Sequence, residues 1–157
     1  YPGIGAEERG QAQAIADNLF VMSTLKVPIL SIVIGEGASG GALAIGLADK
    51  IFCLENTWYS VISPEGCASI LFRDTTKAQD AANSMKVSSD DLLEMGIADG
   101  IVNEPLGGAH NNYIETANII KSLIINEVKK LKALNVEDLI SNRMQKYDNI
   151  GIYESNE

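Results

Sequence analysis

The sequence predicts a single α/β domain, and three observations carry that prediction. Short β-branched runs alternate with stretches of helical periodicity along the chain. One strand-length run, residues 29–34, leads into the glycine-rich residues 35–41 and then into a helix of small residues. No linker-like tract divides the 157 residues, a length sufficient for one domain with its own core.

In chain order, residues 6–24 read as one helix, with Ala14, Ile15, Leu19 and Met22 on one face. Glu7 and Glu8 lie in its first turn, where carboxylates favour the positive end of the dipole. Pro28 opens a buried strand of parallel type at 29–34, and the short helix after the glycine loop covers 42–48. Residues 51–54 and 58–62 are strands separated by the turn-like Glu55-Asn56-Thr57. Ser63-Pro64-Glu65 is a helix start, with serine as N-cap and proline at the first position. That helix is expected to bury Ile70, Leu71 and Phe72. Residues 75–85 and 89–95 follow as helices, the second capped by Ser88 or Ser89 and ended by Gly96. Residues 101–102 form a short strand closed by Pro105, and 106–110 a loop. A long amphipathic helix spans 112–134 (Tyr113, Ala117, Ile120, Ile124 and Leu131), and a last one 136–147. The final ten residues are expected to fray, and Tyr1 to Gly5 read as a loop entered from an upstream strand, as in a fragment.

Composition narrows the function classes. Hydrophobic residues make up 46% and charged residues 21%, as in globular rather than disordered chains. No apolar run approaches the roughly 20 residues of a membrane helix. The net charge of −9, with −7 of it on residues 1–100, disfavours phosphate backbones as partners. Lys129, Lys130 and Lys132 form the one basic cluster and read as a solvated helix face. Cys53 and Cys67 have no second cysteine or histidine at metal-ligand spacing, so no metal site is expected and both read as buried free thiols of a reducing compartment.

The chemistry hinges on residues 35–42, which admit four readings. Gly35, Gly37 and Gly40 fit G-x-G-x-x-G after a strand, with Glu55 as a ribose-binding acid. Gly37-Ala38-Ser39-Gly40-Gly41 fits G-x-S-x-G, with Ser39 as nucleophile, His110 as base and Asp80, Asp90 or Asp99 as the acid. The glycines could serve helix–strand packing alone, at the entropic cost glycine carries. Finally, amides opening a helix are preorganised donors to negative charge, an oxyanion hole for a carbonyl.

Four blocks carry a resemblance that bears on this choice. They are Tyr1-Pro2-Gly3-Ile4-Gly5-Ala6-Glu7-Glu8-Arg9-Gly10-Gln11, then Val33-Ile34-Gly35-Glu36-Gly37-Ala38-Ser39-Gly40-Gly41-Ala42-Leu43-Ala44, then Ser60-Val61-Ile62-Ser63-Pro64-Glu65-Gly66-Cys67-Ala68-Ser69-Ile70-Leu71, and Glu104-Pro105-Leu106-Gly107-Gly108-Ala109-His110. In this order they resemble the second half of the carboxyltransferase alpha subunits of bacterial and plastid acetyl-CoA carboxylases. The resemblance implies a crotonase-like fold of strand–strand–helix units, truncated at the N-terminus, and a cytoplasmic or plastid-stromal setting. It also implies transfer of a carboxyl group from carboxybiotin, carried on the biotin carboxyl carrier protein, to acetyl-CoA, giving malonyl-CoA for fatty acid synthesis. Implied partners are a carboxyltransferase beta subunit in an alpha2-beta2 heterotetramer, the carrier protein and biotin carboxylase.

On that reading the amides of Gly40, Gly41 and Ala42 face the biotin ureido oxygen, with Gly3 as a candidate partner across the site and Gly37, Gly66 and Cys67 as further substrate contacts. Glu65 reads as a helix-start acid and Arg73 as a candidate phosphate contact. A hydratase relative would need a carboxylate just beyond the glycine pair, where Leu43 stands. A non-catalytic scaffold is the alternative outside enzymology.

Overall fold

The computed structural model describes residues 3–151. The expected entry loop at Tyr1-Pro2 and most of the expected frayed end lie outside the described residues. Two short helices open the chain, α1 (Ile4–Glu8) and α2 (Gln11–Ser23). Then come β1 (Leu30–Val33), β2 (Glu36–Ala38), α3 (Ser39–Gly46), β3 (Lys50–Leu54), β4 (Trp58–Ser60) and α4 (Pro64–Phe72). A 3-10 turn at Thr75–Lys77 leads into α5 (Ala78–Met85), α6 (Ser89–Glu94) and β5 (Gly100–Val102). A second 3-10 turn, Ala109–Asn111, precedes α7 (Tyr113–Leu131) and α8 (Val136–Asp148).

Two parallel sheets organise these elements, β1-β3-β5 and β2-β4. Val33 pairs with Cys53 and Leu54 with Val102 in the first; Glu36 pairs with Trp58 and Ala38 with Ser60 in the second. β1 passes into β2, and β3 into β4, through bends of a few residues, so each consecutive pair gives one strand to each sheet before a helix follows. This strand–strand–helix unit occurs twice, and α3 is the crossover that parallel pairing requires.

β3 explains the uninterrupted apolar run at 51–54. Ile51 and Cys53 pack on one side with Val33, Ala48, Leu92 and Ala98. Phe52 and Leu54 pack on the other with Val102 and with Ile119, Ile120 and Leu123 of α7. A central strand covered on both faces has no reason to alternate with polar residues.

Four expectations need correction. The single helix over 6–24 is broken at Gly10, whose φ of 78° is left-handed and which becomes the N-cap of α2. Glu36–Ala38 is a strand rather than loop, and α3 starts at Ser39 rather than at 42, because β4 offers these residues a parallel ladder that local propensity does not reveal. Ile70, Leu71 and Phe72 are 70%, 66% and 40% exposed, and Ala68 is the buried residue of α4. Three consecutive residues sweep about 200° of a helix and cannot all face one neighbour. In α7, Tyr113, Ala117 and Ile124 lie outward, while Thr116, Ile119, Ile120 and Leu123 form the packed stripe. That helix carries isoleucines all round, so sequence periodicity placed Ile120 and Leu131 on the packed side and Tyr113, Ala117 and Ile124 wrongly.

Candidate active site

The glycine-rich segment sits where β2 meets α3. Ala38 is the N-cap with extended backbone, and no side chain caps the helix. The amides of Ser39, Gly40 and Gly41 are therefore not taken by a side chain, the condition under which a helix start receives negative charge, while the amide of Ala42, expected as a third donor, is four residues past the cap and is used within the helix. α4 differs: Ser63 Oγ accepts from the Gly66 N–H at 3.2 Å, and the Cys67 N–H donates to the Ser63 carbonyl at 2.9 Å. Gly66 and Cys67 thus have their amides engaged within the chain; Cys67 contributes its half-buried side chain to the cleft described next.

A cleft of about 570 Å³ opens beside α3, and Ser39, Ala42, Leu43, Tyr59, Cys67 and Lys86 are among its lining residues. The lining is mainly apolar, and among the described residues no aspartate or glutamate contributes to it. Leu43, at the position a hydratase acid would occupy, is 62% exposed. Burial, aided by the nearby Tyr147 and Cys53, pushes the Tyr59 phenol up to about 12. Burial likewise raises the Cys53 thiol and, against a lowering hydrogen bond from Ala48, the Tyr147 phenol. All three stay protonated near neutrality, so none of them is an anionic nucleophile or a base there.

Gly40 and Gly41 are glycines without a structural reason. Neither has positive φ. A Cβ at Gly41 would meet nothing within 4 Å, and one at Gly40 only the Ile15 side chain at an ordinary 3.5 Å. Gly37 and Gly46 are the opposite case. A Cβ at Gly37 would lie 2.9 Å from the Tyr59 ring, and one at Gly46 would lie 2.5 Å from its hydroxyl. Gly37 is buried, beneath that ring, rather than open to a ligand. Gly3 is the exposed N-cap of α1, its carbonyl accepting from Ala6 N–H at 2.9 Å; α1 packs on α2, which packs on α3.

The other loop readings lose their geometry. Ser39 has φ of 54°, the strained strand-to-helix turn of a nucleophile elbow. The base of that reading lies elsewhere, since His110 lines a separate depression with Glu55, Asn56 and Glu104. For the dinucleotide motif, β2 intervenes between Gly35 and the helix, and the Glu55 carboxylate accepts from the Glu104 N–H at 3.2 Å. The Glu104 carboxylate accepts in turn from the N–H groups of Asn56 at 3.0 Å and Ala109 at 2.7 Å. The Asn56 bond is the main cause that holds its carboxyl below the usual range, so Glu104 staples the Leu106–His110 segment to the β3–β4 turn.

The sequence reading missed Tyr59, Tyr147 and Arg143. Tyr59 donates its hydroxyl to the Ala42 carbonyl, and Tyr147 donates to the Gly46 carbonyl and accepts from Ala48 N–H. The paired glycines at 37 and 46 were the available signal for a large side chain threaded between them. Among the described residues no group of three His, Cys, Asp or Glu side chains is arranged to hold a metal. No helix there is long and apolar enough to cross a membrane.

Residues 1–151 match the family model described as acetyl co-enzyme A carboxylase carboxyltransferase-like. The chain is 52% identical over 153 residues to an acetyl-coenzyme A carboxylase carboxyl transferase subunit alpha of Fusobacterium nucleatum, covering 98% of this chain and 49% of the relative. It is 53% identical over 151 residues to the subunit of that name from Clostridium beijerinckii, covering 96% of this chain and 56% of the relative. The chain thus spans about half the length of these curated relatives. Among solved structures, a Pseudomonas malonate decarboxylase hetero-tetramer in complex with coenzyme A matches with TM-score 0.64 at 16% identity, over 91% of this chain and 56% of that one. A transcarboxylase 12S solved with methylmalonyl-coenzyme A matches with TM-score 0.58 at 22% identity, over 66% and 22%. The structural likenesses establish a crotonase-like fold, and on the sequence matches the chain belongs to the acetyl-CoA carboxylase carboxyltransferase alpha family.

Proposed function

We propose that this chain supplies the carboxybiotin side of a carboxyltransferase site, acting in the transfer of a carboxyl group to acetyl-CoA to give malonyl-CoA. The carrying observation is the pair Gly40-Gly41: at an uncapped helix start, neither packing nor backbone angle calls for glycine, which leaves room for another molecule as its use. Support for the identity of that molecule comes from the relatives' shared name.

Carboxybiotin supplies the carboxyl group, and its release builds negative charge on the ureido oxygen. The residues fit that group in part: a side chain at 41 is absent and the amides of Gly40 and Gly41 lie in the unpaired first turn of α3, whereas Ala42, four residues past the cap, has its amide in the helix ladder and is not a donor. Fixed donors aimed at such an oxygen contribute roughly 3–4 kcal/mol each to the barrier in studied cases. Ala42, Leu43 and the apolar side chains of the cleft exclude water, which strengthens those dipoles. Among the described residues no carboxylate of the cleft competes for the proton of the acetyl methyl group, so a side-chain base from these residues is not part of the reading. The thioester oxygen needs its own donors, assigned here to a beta subunit, in an alpha2-beta2 assembly served by the biotin carboxyl carrier protein and biotin carboxylase. A bacterial cytoplasm or plastid stroma is the corresponding setting.

The test is malonyl-CoA and biocytin exchange by the full-length subunit assembled with its beta partner. Gly41→Val should lower kcat by at least about 100-fold, the scale of one lost oxyanion donor, with folding and assembly retained. A folded, assembled variant exchanging at near-normal rate would overturn the assignment.

A further inference from the structure

We propose that Tyr59 is a positioning residue for the reaction, aiming the amides of Gly40 and Gly41 by gripping the strand and the helix on either side of them. The inference rests on the carboxyltransferase reading above and goes beyond it, to a side chain that touches no substrate in that reading.

The helix that carries the amides is poorly held by its own sequence. α3 has eight residues, three of them glycine (Gly40, Gly41 and Gly46), and begins without a side-chain cap. Helices this short and this rich in glycine are unstable in isolation, so the direction of the first-turn N–H groups must be imposed by neighbours. Oxyanion stabilisation depends on that direction being fixed before charge develops.

Tyr59 reaches three points of this segment. Its ring covers Gly37 in β2, two residues before Ser39, closely enough that any Cβ there would collide. Its hydroxyl donates to the carbonyl of Ala42, the residue that directly follows the two proposed donors. The same hydroxyl lies over Gly46 in the last turn of α3. The tyrosine is itself anchored: its N–H donates to the Val87 carbonyl at 3.1 Å, and Tyr59 belongs to β4, paired residue by residue with β2. Gly37 and Gly46 thereby acquire a role that differs from that of Gly40 and Gly41, the first two making room for the phenol and the second two for a ligand. Because burial keeps the phenol protonated far above neutrality, the donor persists throughout the working pH range.

Tyr147 provides the contrast. It also donates to α3, but to the Gly46 carbonyl at the end remote from the amides. Exchange kinetics and thermal midpoints should therefore be measured for Tyr59→Phe, Tyr147→Phe and Gly41→Val in the assembled full-length enzyme. Tyr59→Phe should lower kcat about 10-fold with KM for biocytin within about twofold, since the misaimed donors matter most when charge develops. Tyr147→Phe should lower the thermal midpoint while kcat per folded enzyme stays within about twofold of the parent. A folded Tyr59→Phe enzyme with parental kcat, alongside an inactive Gly41→Val, would overturn the Tyr59 inference and leave the site assignment standing. Equal losses of kcat in the two tyrosine variants would also overturn it, as general loosening of α3. Parental kcat in Gly41→Val would instead overturn the site assignment on which the inference rests.

Discussion

The guanidinium of Arg143 and the carboxylate of Asp49 form a bidentate pair inside the protein, at 2.8 and 2.9 Å, with Arg143 only 1% exposed. Arg143 also donates to the carbonyls of Met22, Leu25 and Val27, and Asp49 accepts from the Ile29 N–H at 2.6 Å. One side chain from α8 thus closes the turn between α2 and β1 and locks it to the residue before β3. Planar forks suit this task, because several carbonyls and a carboxylate can be met at once.

Removing one partner should be costly. Arg143→Ala leaves the Asp49 carboxylate buried and uncompensated, a defect worth about 3–5 kcal/mol. Arg143→Lys should recover little of it, since one ammonium cannot span the same acceptors. Urea denaturation of the full-length subunit measures both; a loss below about 1 kcal/mol for Arg143→Ala would show that the pair is dispensable.

Gly37→Ala should destabilise the protein by about 1–3 kcal/mol, because the new methyl would overlap the rigid Tyr59 ring. Gly41→Ala, with open space around it and φ outside the positive range, should be neutral or slightly stabilising. Thermal midpoints of the two variants compare the positions directly, and equal effects would contradict the packing described.

Ser39→Ala should keep substantial exchange activity in the assembled enzyme, and fluorophosphonate probes should leave Ser39 unlabelled. A loss on the scale of a removed catalytic serine, about 10⁶-fold in the best-studied case, would restore the nucleophile reading that its backbone angle suggests.

Stability should fall at both pH extremes for identifiable reasons. Burial acts to raise the Asp99 carboxyl, but hydrogen bonds from Lys146, from Lys50 at 2.8 Å and from the Ile51 N–H at 2.8 Å outweigh it and hold it below its usual value. Its contribution is therefore present above the ordinary value of 3.8 and lost as pH falls through the lower folded-state value. Tyr59 works in the other direction: raised from 10 to about 12, it contributes below pH 10 and loses that contribution between 10 and about 12. Asp99→Asn should flatten the acid limb of the denaturation midpoint against pH, and Tyr59→Phe the alkaline limb. Unchanged slopes would remove these groups from the linkage.

The isolated chain should show no malonyl-CoA and biocytin exchange until a beta subunit is added, because one set of amides is offered where charge develops on two oxygens. Exchange by this chain alone would overturn that division of labour.

Local chemistry was sufficient to read much of this protein from the sequence. The continuous apolar run at 51–54 belongs to a strand buried on both faces, and Ser63-Pro64 to a capped helix start, because each signature reflects a constraint acting within a few residues. The glycine run before a short helix marked the segment of interest for the same reason. Tertiary structure alone decided which glycines face open space and which face Tyr59, since a glycine records only that a side chain is unwelcome and not what excludes it. It also decided that 36–38 is a strand, because β4 supplies the pairing, and that α7 turns Ile119 and Leu123 inward beside the expected Ile120, because Phe52 and Leu54 await them. The roles of Arg143 and Tyr147 depend on partners about a hundred residues away along the chain, a separation at which sequence periodicity carries no information.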